Sequence, residues 1–110
     1  MMASCFGLTV ATLDKIRGVF ARYPQVEKAV LYGSRAKGNY KHGSDIDLTL
    51  YGDDLTYNNL LAMLSNLDDL LLPYMIDLSI FKMLDHAKLR EHIKHVGVLF
   101  YERAHDKALL

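Results

Sequence analysis

The chain has 110 residues, 51% of them hydrophobic and 24% charged, which suits one globular domain spanning residues 1–110 and leaves too little chain for two. Thirteen basic side chains balance thirteen acidic ones, so no overall positive field draws in nucleic acid, and strong nonspecific DNA or RNA binding is excluded.

The opening residues lack the basic stretch and clean apolar core of a secretory leader. Cys5 is the only cysteine, so no intrachain disulfide can form and the residue reads as a spectator thiol. Residues 9–23 read as a helix. Thr9 or Thr12 caps it, Leu13, Ile16, Val19 and Phe20 form its apolar face, and Pro24 stops it. Residues 27–32 read as a buried strand ending at Gly33. Residues 34–37 make a short helical turn closed by Gly38, and the polar stretch 39–44 is a loop. Residues 46–51 form the second strand.

Thr56 caps a helix to about Leu67 with Tyr57, Leu60, Leu61 and Leu64 on one side. The apolar run 70–76 is broken by Pro73, closed by Asp77 and too short to span a bilayer, so the expected location is the cytoplasm. Residues 74–81 are the third strand. Asp85 caps a last helix to about His95, with Leu89, Ile93 and Val96 inward and Gly97 at its end. Residues 98–101 form a final strand, and the tail 102–110 frays. This order predicts an α/β or α+β fold, a small mixed sheet with helices packed against it.

Alternation along a strand sends Asp45 and Asp47 to one face and Ile46, Leu48 and Leu50 to the other. The third strand repeats the pattern, with Ile76, Leu78 and Ile80 buried and Met75, Asp77 and Ser79 opposite. Side by side, the two strands bring Asp45, Asp47 and Asp77 to one sheet face. Carboxylates so gathered repel one another unless cations neutralise them, and hard oxygen donors suit Mg²⁺ or Mn²⁺. An isolated Asp-x-Asp reads as two solvent-side residues. Here a glycine-serine bend precedes it, with ten residues between Ser34 and Asp45. Gly33 lets the backbone approach a phosphate, Ser34 adds a hydroxyl, and N–H groups at a helix start bind anionic oxygens. Arg35 is the best of the nearby cations for phosphate because of its forked geometry. Lys37, Lys41 and His42 read as a solvated loop, and Tyr40 is a candidate for stacking on a base. His92 and His95 lack a third ligand and read as a solvent-facing pair.

The segment Gly33-Ser34-Arg35-Ala36-Lys37-Gly38 through Gly43-Ser44-Asp45-Ile46-Asp47-Leu48 resembles the signature of the minimal nucleotidyltransferases, the smallest members of the DNA-polymerase-β-like nucleotidyltransferase superfamily. The likeness runs from the strand before Gly33 to Asp77. It implies that a hydroxyl attacks the α-phosphate of a nucleoside triphosphate, ATP or another, and that pyrophosphate leaves. By the same likeness Asp45, Asp47 and Asp77 are the catalytic acids and hold two Mg²⁺ or Mn²⁺ ions. Gly33, Ser34 and Arg35 bind the nucleotide.

Larger relatives carry a helical region for the acceptor, whereas this chain ends about thirty residues after Asp77. The acceptor surface is therefore expected on another chain. Minimal nucleotidyltransferases commonly pair with an all-helical HEPN protein, and in the better understood pairs they act as antitoxins that transfer AMP to a tyrosine of that ribonuclease toxin. The resemblance thus implies a type VII-like antitoxin, a protein adenylyltransferase, working as a homo- or hetero-oligomer. Two alternatives stay open: a nucleotide-binding subunit that neutralises its partner by contact, and an antibiotic-modifying nucleotidyltransferase.

Overall fold

The computed structural model describes residues 6–104. Cys5 and residues 105–110 of the expected frayed tail lie outside the described residues. Thr9 is the N-cap of α1 (Val10–Ala21), its hydroxyl accepting from the Thr12 N–H at 3.2 Å. Leu13, Ile16, Val19 and Phe20 recur at helical spacing and are all buried. β1 (Lys28–Tyr32) runs into Gly33, and α2 (Ser34–Lys37) is one turn closed by Gly38 in the left-handed region. β2 (Ile46–Tyr51), α3 (Tyr57–Asp68) and β3 (Ile76–Ile80) follow. A 3-10 turn at Phe81–Met83, α4 (Ala87–Val96) and β4 (Val98–Glu102) complete the order.

The four strands form one mixed sheet in the order β3-β2-β1-β4. β1 pairs antiparallel with β2 and with β4, while β2 and β3 are parallel. A parallel pair needs a crossover connection, and α3 supplies it. Alternation along the strands then separates two layers. Ile46, Leu48 and Leu50 of β2 and Leu78 and Ile80 of β3 join Leu31, Phe20, Met63 and Leu67 in the main core, which α1 and α3 cover. On the other face Ile93 of α4 packs with Tyr32 and Phe81, flanked by Leu89, Val96 and Tyr51. The acids of β2 and β3 belong to this second face.

Four details differ from the sequence reading. α3 turns a different stripe inward: Met63 and Leu67 are buried, Leu60 and Leu64 half-buried, and Tyr57 and Leu61 are 61% and 47% exposed. Two overlapping apolar stripes satisfy the same helical spacing in this leucine-rich segment, and only packing chooses between them. β3 is shorter than residues 74–81 because Phe81 leaves the strand for the 3-10 turn, which Arg90 fixes by donating from Nη1 to the carbonyls of Phe81 and Leu84 at 2.9 and 2.8 Å. With that turn in place α4 starts at Ala87, and its N-cap is His86 rather than Asp85: Nδ1 accepts from the Leu89 N–H at 3.1 Å. Glu102 belongs to β4, and the Arg103 N–H donates to the Glu27 carbonyl at 2.9 Å, so the tail is fastened at least to that point.

The rotation of α3 is testable by stability. Met63→Ala should lower the unfolding free energy by about 2–5 kcal/mol, whereas Leu61→Gln should stay within about 0.5 kcal/mol in urea titrations. Similar costs for both would contradict the observed face.

Candidate functional site

Register brings the acids together. Asp47 of β2 stands directly opposite Asp77 of β3 and, on its other side, opposite Tyr32 of β1. Asp45 lies two residues before Asp47, just ahead of the strand, and is exposed like Asp77, while Asp47 is half-buried. Partial burial first, then the charges of Asp77 and Asp45, push the Asp47 carboxyl above its usual value. Like charges facing each other across strands are unfavourable, so the three carboxylates share one electrostatic neighbourhood on one sheet face.

The glycine bend touches this neighbourhood. Gly33 has φ +78° and ψ −157°, a backbone region essentially limited to glycine. A Cβ there would fall 2.3 Å from Asp47 Oδ2, so only a residue without a side chain lets the Asp47 carboxylate lie over the bend. Ser34, half-buried, opens α2 immediately after it. The bend and the acids are therefore in contact, despite the ten residues between Ser34 and Asp45.

Arg35 occupies a different setting from the expected phosphate contact. Its side chain is 2% exposed. Nε and Nη2 both donate to the Ser44 carbonyl, at 3.0 and 2.8 Å, and Nη1 donates to the Phe6 carbonyl at 2.8 Å. The guanidinium lies between the rings of Tyr40 and Tyr74, 5.2 and 4.9 Å from their centroids. Arg35 thus ties the far end of loop 38–44 to α2 and to the segment at Phe6, and sets the position from which Asp45 emerges. The planar fork suits this twofold grip on one carbonyl. Tyr40 is engaged in the same clip, whereas Lys37, Lys41 and His42 are exposed.

Tyr32 is the group near the acids that the sequence reading passed over. Burial, then the charges of Asp77 and Asp47, raise the Tyr32 hydroxyl above its usual value. Ser79 Oγ donates to Thr49 Oγ1 at 2.9 Å. His92 is half-buried with its ring edge-on to Tyr32, centroids 6.5 Å apart, whereas His95 points to Glu91 at 3.5 Å. The two histidines therefore diverge rather than form a pair. Alternation alone would have put Tyr32 on the acid face had the β1–β2 register been known.

Among the described residues no three His, Cys, Asp or Glu side chains already close around a single point as a metal site does. The donor chemistry still fits a hard divalent cation: Asp47 and Asp77 offer oxygens from adjoining strands, and the charge of Asp45 reaches Asp47. A cation held there would offset the like charges around Asp47.

The family model for polymerase beta, nucleotidyltransferase, matches residues 14–106. No curated protein matches the chain. A toxin–antitoxin structure with AMP-PNP aligns with a TM-score of 0.68 at 21% identity, over 88% of this chain and 78% of the other. The MntA–HepT toxin–antitoxin gives 0.63 at 19% identity, over 90% and 77%. The tri-AMPylated Shewanella oneidensis HEPN toxin in complex with MNT antitoxin gives 0.62 at 19% identity, over 90% and 76%. At these identities the likeness to solved structures establishes the fold.

The raised Asp47 has a consequence for stability. A carboxyl whose folded-state pKa lies above its unfolded value makes the fold less stable as pH rises through that range, with the full cost present at neutral pH. Asp47→Asn should therefore unfold at a higher temperature than wild type at pH 7, with the gap closing below the ordinary carboxylate range. A lower melting temperature for Asp47→Asn at pH 7 would contradict this electrostatic reading.

Proposed function

Given that this chain belongs to the polymerase beta nucleotidyltransferase family, we propose that it is a divalent-metal-dependent nucleotidyltransferase that moves AMP from ATP to a protein hydroxyl. The observation that carries the proposal is the contact of Gly33 with Asp47, itself opposite Asp77. It joins a bend suited to phosphate to a pair of facing acids.

In this reading Asp45, Asp47 and Asp77 would hold two Mg²⁺ or Mn²⁺ ions. Bound there, the cations favour formation of the nucleophile and offset charge on the triphosphate. Gly33 admits the β- and γ-phosphates close to the backbone, and Ser34 contributes its hydroxyl and N–H. Asp77, exposed at the outer edge of the sheet, is open to the arriving acceptor. The acceptor oxygen bonds to the α-phosphorus, the bond to the bridging oxygen breaks, and pyrophosphate departs. Positioning and electrostatics supply most of the rate in such transfers. Arg35 serves by holding the loop that delivers Asp45, rather than by touching phosphate.

An apolar surface lies at the edge of the sheet beside β3, on the α3 side rather than the face that carries the acids. A groove of about 650 Å³ is lined by Leu64, Leu67, Leu71, Leu72, Met75 and Ile76. Leu71 and Met75 are 88% and 70% exposed at its border, and Met75 is two residues from Asp77. Structural relatives include a complex with an AMPylated HEPN toxin, so the acceptor we assign is a tyrosine of a HEPN partner, with this chain as the antitoxin of a cytoplasmic pair.

The test is incubation of the chain with labelled ATP, Mg²⁺ and a candidate HEPN partner protein. Label should appear on a partner tyrosine, and Asp47→Asn should reduce transfer by at least about a hundredfold. Absence of transfer from wild type that binds ATP would contradict the enzymatic reading.

A further inference from the structure

The chain is held on both sides of Asp45. Ahead of it, the Ser44 carbonyl accepts from Arg35 Nε and Nη2 at 3.0 and 2.8 Å. Behind it, the Ile46 N–H donates to the Met75 carbonyl at 2.9 Å. The two holds are joined to each other. Met75 follows Tyr74 in the chain, and the Arg35 guanidinium stands 4.9 Å from the centroid of the Tyr74 ring, within the range where a cation is attracted to an aromatic face. Contacts therefore close a circuit from Asp45 through Ile46, Met75, Tyr74, Arg35 and Ser44 back to Asp45. Asp77 lies on the same stretch of chain, two residues beyond Met75.

Two observations give the circuit a purpose. Register places Asp47 against Asp77, but the pairing of β2 with β3 begins at Ile46 and Ile76. Asp45 stands ahead of that pairing, and β3 is an edge strand held on one side only. The second observation is how fully Arg35 is committed. A buried guanidinium needs its donors and its faces occupied. The Ser44 and Phe6 carbonyls take its donors, and the rings of Tyr40 and Tyr74 take its faces. The Tyr40 ring in turn rests on Gly7, where a side chain would collide with it. Tyr74 is the member of this stack that belongs to the approach to β3.

We propose that Tyr74 is a positioning residue: its ring, stacked on Arg35, fixes where Asp45 stands relative to Asp77, at the spacing a divalent cation with a bound triphosphate requires. This rests on the proposed nucleotidyltransferase reading. Tyr74 acts through Arg35 and through the backbone on either side of Asp45, and it touches no substrate. What counts is the face of the ring. Phenylalanine supplies that face as tyrosine does, whereas leucine and methionine fill the space without it.

The test is titration of Mn²⁺ in the presence of AMP-PNP, followed by the electron paramagnetic resonance signal of free Mn²⁺, on the whole chain and on Tyr74→Phe, Tyr74→Leu and Tyr74→Met. No protein partner is added, so the apolar groove that Tyr74 also lines does not contribute. Tyr74→Leu and Tyr74→Met should each weaken Mn²⁺ binding about fivefold, the ratio corresponding to one cation–ring contact of about 1 kcal/mol. Tyr74→Phe should bind as wild type does. In an Arg35→Lys background, where the fork on the Ser44 carbonyl is already lost, Tyr74→Leu should cost no more than about a further twofold, because the circuit is open before the ring is removed. Wild-type Mn²⁺ affinity in both ringless variants, an equal loss in Tyr74→Phe, or a leucine loss that multiplies with that of Arg35→Lys would overturn the positioning role while leaving the nucleotidyltransferase reading intact. A melting temperature that falls in Tyr74→Leu while Mn²⁺ affinity holds would mark the ring as merely structural and overturn it equally. Failure of wild type to take up Mn²⁺ with AMP-PNP would overturn both.

Discussion

Asp47 and Asp77 face each other across a parallel strand pair, and the rest of the molecule is arranged around that unfavourable contact. Parallel pairing of β2 and β3 with Asp47 against Asp77 follows from register, and register in turn follows from burying Ile46, Leu48, Leu50, Leu78 and Ile80 on the opposite face. A slip of β3 by one residue would turn Leu78 and Ile80 away from the main core. The hydrophobic core therefore enforces the juxtaposition of two like charges, and the Asp47 carboxyl is raised first by its burial and then by the charges of Asp77 and Asp45. A fold selected for stability alone has no reason to keep such a pair, whereas a site that recruits cations does.

The surroundings limit how the pair can relax. Gly33 lets the Asp47 carboxylate rest on the bend, and a side chain at that position would collide with it. Arg35 grips the Ser44 and Phe6 carbonyls between two tyrosine rings, which makes the approach to Asp45 rigid although loop 38–44 is polar and glycine-bearing. α4 covers the centre of the acid face through Ile93 and leaves Asp45 and Asp77 exposed. The site is thus firm underneath and open above, the arrangement a nucleotide and an incoming acceptor both need.

Much of this was readable from the residues. Asp-x-Asp on an apolar alternating run reports its own faces, so the split between Ile46, Leu48, Leu50 and the acids followed directly from strand geometry, and the residues of β2 match in full. Thr9 was one of two candidate caps and Thr56 the single one, and both are caps because hydroxyls at those points meet free helix N–H groups. Properties set by distant partners were hidden. The burial of Arg35 depends on Phe6 and Tyr74, far from it in sequence, and a polar loop gives no sign of folding back over a cation. Tyr32 looked like an ordinary strand aromatic because its place opposite Asp47 is set by the register of β1 and β2. The stripe of α3 was ambiguous because a run of leucines satisfies two rotations, and Asp85 lost the cap of α4 to His86 because the preceding 3-10 turn fixes where the helix begins.

The central claim is that the facing acids and the glycine bend form one cation-and-phosphate site. Its most direct measurement is the anomalous scattering of Mn²⁺ in crystals grown with AMP-PNP. The account predicts manganese between the Asp47 and Asp77 carboxylates, with the triphosphate against Gly33 and Ser34. Nucleotide bound elsewhere, or manganese that leaves both carboxylates uncoordinated, would contradict it.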